Sequence, residues 1–211
     1  MARIDDYKKA VELGKQKLSM RDTQEIATHS GAFIEQRGDD SALLSLPFLQ
    51  KRVLLNGPGF HMRFETSGEE PTLQEQVLIL HYLNGVTGAA VTDEWVAYQE
   101  IPDGKFYLDA FLRRAKNPMV HTFGEQPQLL MKLAQEVYAA QPLDQGDISV
   151  RVQALPKVPV ALILWQGDDE FPPEGTILFD RSIGDIFSAE DIAWLAGMIV
   201  YPLIGRAKAG P

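Results

Sequence analysis

The 211-residue chain contains no cysteine. That absence removes thiolate nucleophiles, thiolate zinc sites, disulfides and any four-cysteine iron–sulfur cluster held by this chain itself. Long apolar runs are missing too. The stretch Val158 to Trp165 is among the longest, and a membrane-crossing helix needs about 20 such residues. Histidine is scarce: among His29, His61, His81 and His121 no two stand at the i, i+4 spacing of a helical zinc pair. Basic residues are outnumbered, 20 Lys and Arg against 29 Asp and Glu, which gives a formal charge of −9 and a pI near 4.9. A field of that sign repels phosphate backbones and anionic lipid surfaces, so neither nucleic acid nor membrane is expected as a partner. Met1 to Ser19 are charged and amphipathic, without the apolar core of a signal peptide, and a cytoplasmic location is the default expectation.

What is present is ordinary globular composition, 45% hydrophobic and 23% charged. A chain of this length buries roughly 70% of its unfolded surface, enough for a core without a metal or a disulfide. Asp5 to Leu18 has helical spacing. Gln24 to Gln36 mixes β-branched, small and polar residues, and Arg37 to Asp40 reads as a turn. Ala42 to Leu46, Arg52 to Leu55 and Phe60 to Phe64 read as short strands, with turn chemistry at Asn56-Gly-Pro-Gly59 between the last two.

A long helix follows from Pro71 to about Gly85, then a strand at Trp95 to Gln99 and helices near Leu108 to Ala115 and Pro127 to Ala140. Ile148 to Ala154, Val158 to Trp165 and Thr176 to Phe179 are three strands with short connections, hence antiparallel neighbours. The last helix opens on a Ser188-x-x-Asp191 cap, and Pro202 is expected to kink or end it. Helices and strands are grouped without strict alternation. The expected fold is α+β: antiparallel sheets packed against several helices, in one compact domain spanning residues 1–211.

The most conspicuous motif is the acidic loop Trp165-Gln-Gly-Asp-Asp-Glu-Phe-Pro-Pro173. In a tight loop, carboxylates can converge on a hard cation, which makes Asp168, Asp169 and Glu170 the candidate metal ligands. The competing reading is turn chemistry, in which Asp side chains accept backbone N–H bonds and the two prolines fix the exit. The loop lacks the spaced oxygen ligands of an EF-hand. Asn56-Gly-Pro-Gly59 has neither the lysine nor the spacing of a phosphate-binding loop, and no G-x-S-x-G elbow supports a hydrolase triad. No catalytic residue is therefore assigned. His121, in a loop-like segment Asn117 to Gly124 with Met119 nearby, is a candidate acid, base or axial ligand to a cofactor metal.

Val77-Leu-Ile-Leu-His-Tyr-Leu83, Trp95-Val-Ala-Tyr-Gln-Glu-Ile101, the acidic loop, Ile177-Leu-Phe-Asp180 and Ser188-Ala-Glu-Asp191 together carry a resemblance. Over about Lys8 to Leu203, the chain resembles a bacterial and archaeal domain family of unknown function, frequent in anaerobes. Some members are joined to a four-cysteine iron–sulfur domain, an arrangement from which this cysteine-free chain departs. The resemblance implies an accessory role around anaerobic one-carbon, corrinoid or redox metabolism and supplies no catalytic residue.

The functional expectation is thus a non-catalytic ligand-binding or accessory protein, with a small-molecule or protein partner near the acidic loop. In its tetrapyrrole form, Trp165 lines the site and His121 ligates the metal. The alternative is a metal-assisted hydrolase or lyase using Asp168, Asp169 and Glu170. Cofactor identity and oligomeric state stay open.

Overall fold

Helix boundaries follow capping chemistry written into the chain. Helix α1 (Ile4–Ser19) buries Val11, Gly14 and Leu18 along one face. Helix α2 (Thr23–Ser30) is opened by the Asp22 carboxylate, which accepts from the Glu25 N–H, and closed by Gly31 in the left-handed region. Helix α3 (Leu73–Gly85) starts on a reciprocal box. Thr72 Oγ1 accepts from the Glu75 N–H, and the Glu75 carboxylate accepts from the Thr72 N–H. Its residues Val77 to Leu80, Tyr82 and Leu83 are all buried. A helix apolar on most sides has to be enclosed.

The structure, a computed structural model, describes residues 4–36, 42–57 and 59–209. The turn expected at Arg37 to Asp40 lies outside the described residues, as does Pro58 of the Asn56 to Gly59 turn. The chain divides into two compact units. One holds residues 1–90, 155–157 and 185–187, and the other holds residues 91–154, 158–184 and 188–211.

In the first unit, α1 and α2 pack on α3. Strands β1 (Phe33–Gln36), β2 (Ala42–Phe48), β3 (Lys51–Asn56) and β4 (His61–Phe64) form an antiparallel meander in that order. Register puts Leu44 opposite Leu55, Leu46 opposite Val53 and Val53 opposite Phe64, so one face is continuously apolar. The three strands expected from 42 to 64 are present. Strand β1 and helix α2 were not legible in the mixed composition of Gln24 to Gln36. Tyr82 is wholly buried here, donating to the Ser30 carbonyl at 2.6 Å and accepting from the Lys157 N–H at 3.2 Å.

In the second unit, strands β5 (Trp95–Ala97), β6 (Gln141–Pro142), β7 (Ile148–Leu155), β8 (Val158–Trp165) and β9 (Glu174–Asp180) form a sheet of order β5-β9-β8-β7-β6. Both sheets are antiparallel, and the architecture is α+β. Strand β8 is buried from Val158 through Leu164, as expected of a central strand covered on both faces.

Helix α4 (Gly104–Phe111) runs through a π-helical turn, Leu112–Lys116, into α5 (Asn117–Phe123). Phe111, Ala115, Met119 and Phe123 are buried at a constant spacing of four, wider than the 3.6 of an α-helix, and the π turn absorbs the difference. Helices α6 (Pro127–Tyr138), α7 (Ile183–Ile186) and α8 (Ala189–Ala209) follow. Helices α4, α5 and α6 and the π turn all pack against α8.

One expectation is corrected, and of the two outcomes expected at Pro202 one is excluded. The segment Asn117 to Gly124 is not a loop: Asn117–Phe123 is helix, running on directly from the π turn, and Pro118 sits just past that turn. Pro202 does not end α8, which continues to Ala209. The Met198 carbonyl, which an N–H at position 202 would have served, accepts instead from the Tyr138 hydroxyl at 3.3 Å, and Ile199 shares it at 2.9 Å.

Candidate functional site

The acidic loop joins β8 to β9, and its shape is set on three sides. Within it, Asp168 Oδ1 accepts from the N–H groups of Glu170 and Phe171, both at 2.8 Å, while the Asp168 N–H reaches the Phe171 carbonyl at 2.9 Å. Beneath it, Gly146 adopts φ +61°, and a side chain there would meet Ile163 Cγ2 at 2.8 Å and the Leu164 carbonyl at 2.9 Å. Only glycine lets that turn lie against the end of β8, with the Trp165 ring beside it. Asp147 completes this side by accepting from the Gln166 N–H at 2.8 Å. At the exit, Pro173 lies so close to Gly124 that a Cβ on the glycine would stand 2.6 Å from the proline ring. Helix α5 packs on β9, and Lys116 bridges to Glu174 at 3.4 Å.

The side chains of this loop divide by what they touch. Backbone N–H groups hold the Asp168 carboxyl below the usual aspartate range, against a small opposing effect of burial. This is the turn chemistry anticipated for such a sequence, and it commits Asp168 to the loop's own backbone. Asp169 and Glu170 are exposed, and their carboxylates have no hydrogen-bond or ion-pair partner among the described residues. Among the described residues no three Asp, Glu or His side chains come together in a group that could hold a metal ion. Trp165 is 42% exposed and Phe171 67% exposed. His121 is exposed on α5, three residues before the glycine that receives the loop's exit, whereas Met119 faces the core of the helix bundle.

A second polar centre was not anticipated. Asp180 ends β9 and is only 2% exposed, yet five donors converge on it. These are the N–H and hydroxyl of Thr92 (3.1 and 2.9 Å), the Asp93 N–H (2.7 Å), and the N–H and hydroxyl of Ser182. Burial pushes the carboxyl upward, but the donors outweigh it and hold the group below the ordinary range. Asp93 sits at φ +57° to aim its N–H inward. The ion pairs Arg181–Glu94 (2.6 Å) and Arg151–Asp93 (3.5 Å) flank the centre. With every oxygen occupied, Asp180 fastens residues 92–93 to the end of β9. The available signal was an aspartate closing an apolar strand, followed by Arg-Ser.

The sequence profile of a domain of unknown function, DUF3786, matches residues 22–201. The chain belongs to the DUF3786 family. No curated protein and no solved structure matches it. The DUF3786 match takes in the acidic loop, His121 and the Asp180 centre, and begins after α1. No helix among the described residues is long and apolar enough to cross a membrane.

Proposed function

We propose that this DUF3786 protein is a non-catalytic binding or accessory protein that meets a small molecule or a protein partner through the loop between β8 and β9. One observation carries the reading: Trp165 and Phe171 present large aromatic surface at the two ends of a loop whose shape is already fixed. Aromatic area held in water is unfavourable, and a preformed loop loses little conformational entropy on binding. The resemblance supplies a setting, accessory to anaerobic one-carbon, corrinoid or redox metabolism. In the corrinoid form of the proposal, Trp165 flanks the macrocycle and the exposed imidazole of His121 is the metal ligand.

Two measurements test this. Replacing Trp165 and Phe171 together by alanine is expected to move the melting temperature by no more than about 2 °C, because exposed side chains contribute little to stability. A drop of about 8 °C or more would make the aromatics part of the core and overturn the reading. Adding a corrinoid or haem to purified protein is expected to shift the visible absorption bands, and His121→Ala to abolish the shift. No spectral and no thermal change with either compound overturns the tetrapyrrole form alone.

A further inference from the structure

We infer that the occupant of the β8–β9 loop is a lysine- or arginine-bearing segment of a protein partner; this rests on the preceding reading of the loop as the binding surface. The inference starts from how the chain treats its other aromatic rings. Arg114 lies over Trp194 at 4.9 Å and Arg151 over Trp95 at 5.9 Å. Arg52 covers Phe33 at 5.3 Å and Lys51 covers Phe64 at 4.7 Å. Of the three tryptophans, Trp165 alone has no cation over its ring among the described residues. The same loop carries Asp169 and Glu170, which have no counter-ion among the described residues, on a chain whose formal charge is −9. Phe171 closes the same short loop.

A ligand has to match both features. A purely apolar one covers the rings but presses hydrocarbon against two carboxylates, whose loss of hydration is then uncompensated. A bare divalent ion meets the carboxylates, leaves the rings in water, and finds no group of three ligands among the described residues. A basic side chain satisfies both at once. Its aliphatic stem and cationic head lie over an aromatic face, and its N–H groups reach a carboxylate. Because Asp168 accepts from the Glu170 and Phe171 N–H groups, the backbone turn that carries these side chains is formed before any partner arrives. The charge on the rest of the molecule attracts such a segment from a distance.

The full-length chain, labelled with 15N-tryptophan, provides the test. The Trp165 indole N–H signal, assigned through Trp165→Phe, is followed during titration with a short peptide alternating arginine and glycine. The control peptide carries citrulline in place of arginine, which keeps the shape and removes the charge. The arginine peptide is expected to move the Trp165 signal, and the citrulline peptide to leave it in place. Asp169→Asn with Glu170→Gln should weaken binding about three- to tenfold, with a similar loss on raising salt from about 50 to 200 mM.

Equal shifts with both peptides, both lost in the Phe171→Ala protein, overturn the cationic occupant and leave the loop reading standing. No shift with either peptide also overturns the cationic occupant, and the loop reading is then judged on its own melting and absorption measurements. Unchanged arginine affinity in the Asp169→Asn, Glu170→Gln protein shows that the carboxylates take no part, and overturns the inference as well.

Discussion

Asp180 shows how much one side chain can hold. Five donors surround a carboxylate shut off from water, three of them backbone N–H groups that lose this partner if it is removed. Asp180→Ala should therefore cost about 3 kcal/mol, visible as a fall of about 6–12 °C in melting temperature. Thr92→Val, which removes one hydroxyl donor of the five, should cost about 1 kcal/mol. The pH dependence has a definite sign. The folded carboxyl lies below its unfolded value, so its stabilisation is complete above the unfolded value near 4 and disappears as the pH falls through the folded one. Asp180→Asn should flatten the acid limb of a stability-against-pH curve, and an unchanged limb would assign acid sensitivity elsewhere. Little of this was legible in the sequence. Thr92 and Ser182 are unremarkable residues, and nothing local to Asp180 says that residues 88 positions earlier return to it. The acidic loop was more readable, because Asp-x-x with a proline exit is local chemistry and the bonds it makes span only two or three residues.

At the scale of elements, the aromatic junction under α4 binds helix to sheet. Tyr98 and Phe111 are stacked at 4.2 Å with rings 1° from parallel, and both meet Phe179 of β9 edge-on at 6.3 and 6.0 Å. The Tyr98 hydroxyl donates to the Ala189 carbonyl at 2.7 Å, at the start of α8. Phe111→Ala should cost about 3–5 kcal/mol, since a fully buried ring leaves a cavity that packed neighbours cannot close. Tyr98→Phe keeps the stack, loses one hydrogen bond and should cost about 1 kcal/mol. A cycle combining Phe111→Leu with Tyr98→Leu should reveal coupling of about 0.5–1.5 kcal/mol, and additivity would mean the stack contributes only by area. Elements with short-range signals were legible: the β7–β9 meander from its short turns, α3 from its apolar positions and α8 from its Ser188–Asp191 cap. The continuous run from α4 to α5 was not. Proline reads as a breaker, and a spacing of four betrays a π turn only once the buried face is known.

Over the whole molecule, segregated helices and strands made the α+β class legible, because grouping of elements survives errors in any one boundary. The boundaries of the two units were not, since short pieces at 155–157 and 185–187 join the N-terminal unit from far along the chain. Each unit nevertheless carries a buried phenol that reports on its integrity: Tyr82 in one, Tyr98 and Tyr138 in the other. Burial raises all three, Tyr98 to about 12 and the other two further. A phenol free in the unfolded chain ionises near pH 10. Between that point and the folded values, the unfolded chain has released three protons that the folded chain retains. These groups therefore leave stability unchanged below about pH 10 and erode it above, by about 4 kcal/mol per pH unit when all three contribute. Tyrosinate absorbance near 295 nm, compared with the matching Tyr→Phe variants, reports on these three phenols. Tyr82, Tyr98 and Tyr138 should then appear together with loss of far-ultraviolet ellipticity. Tyr82→Phe should lower the slope of the alkaline limb by about a third. Ionisation of these three near pH 10, with ellipticity intact, would mean that water reaches them in the folded chain.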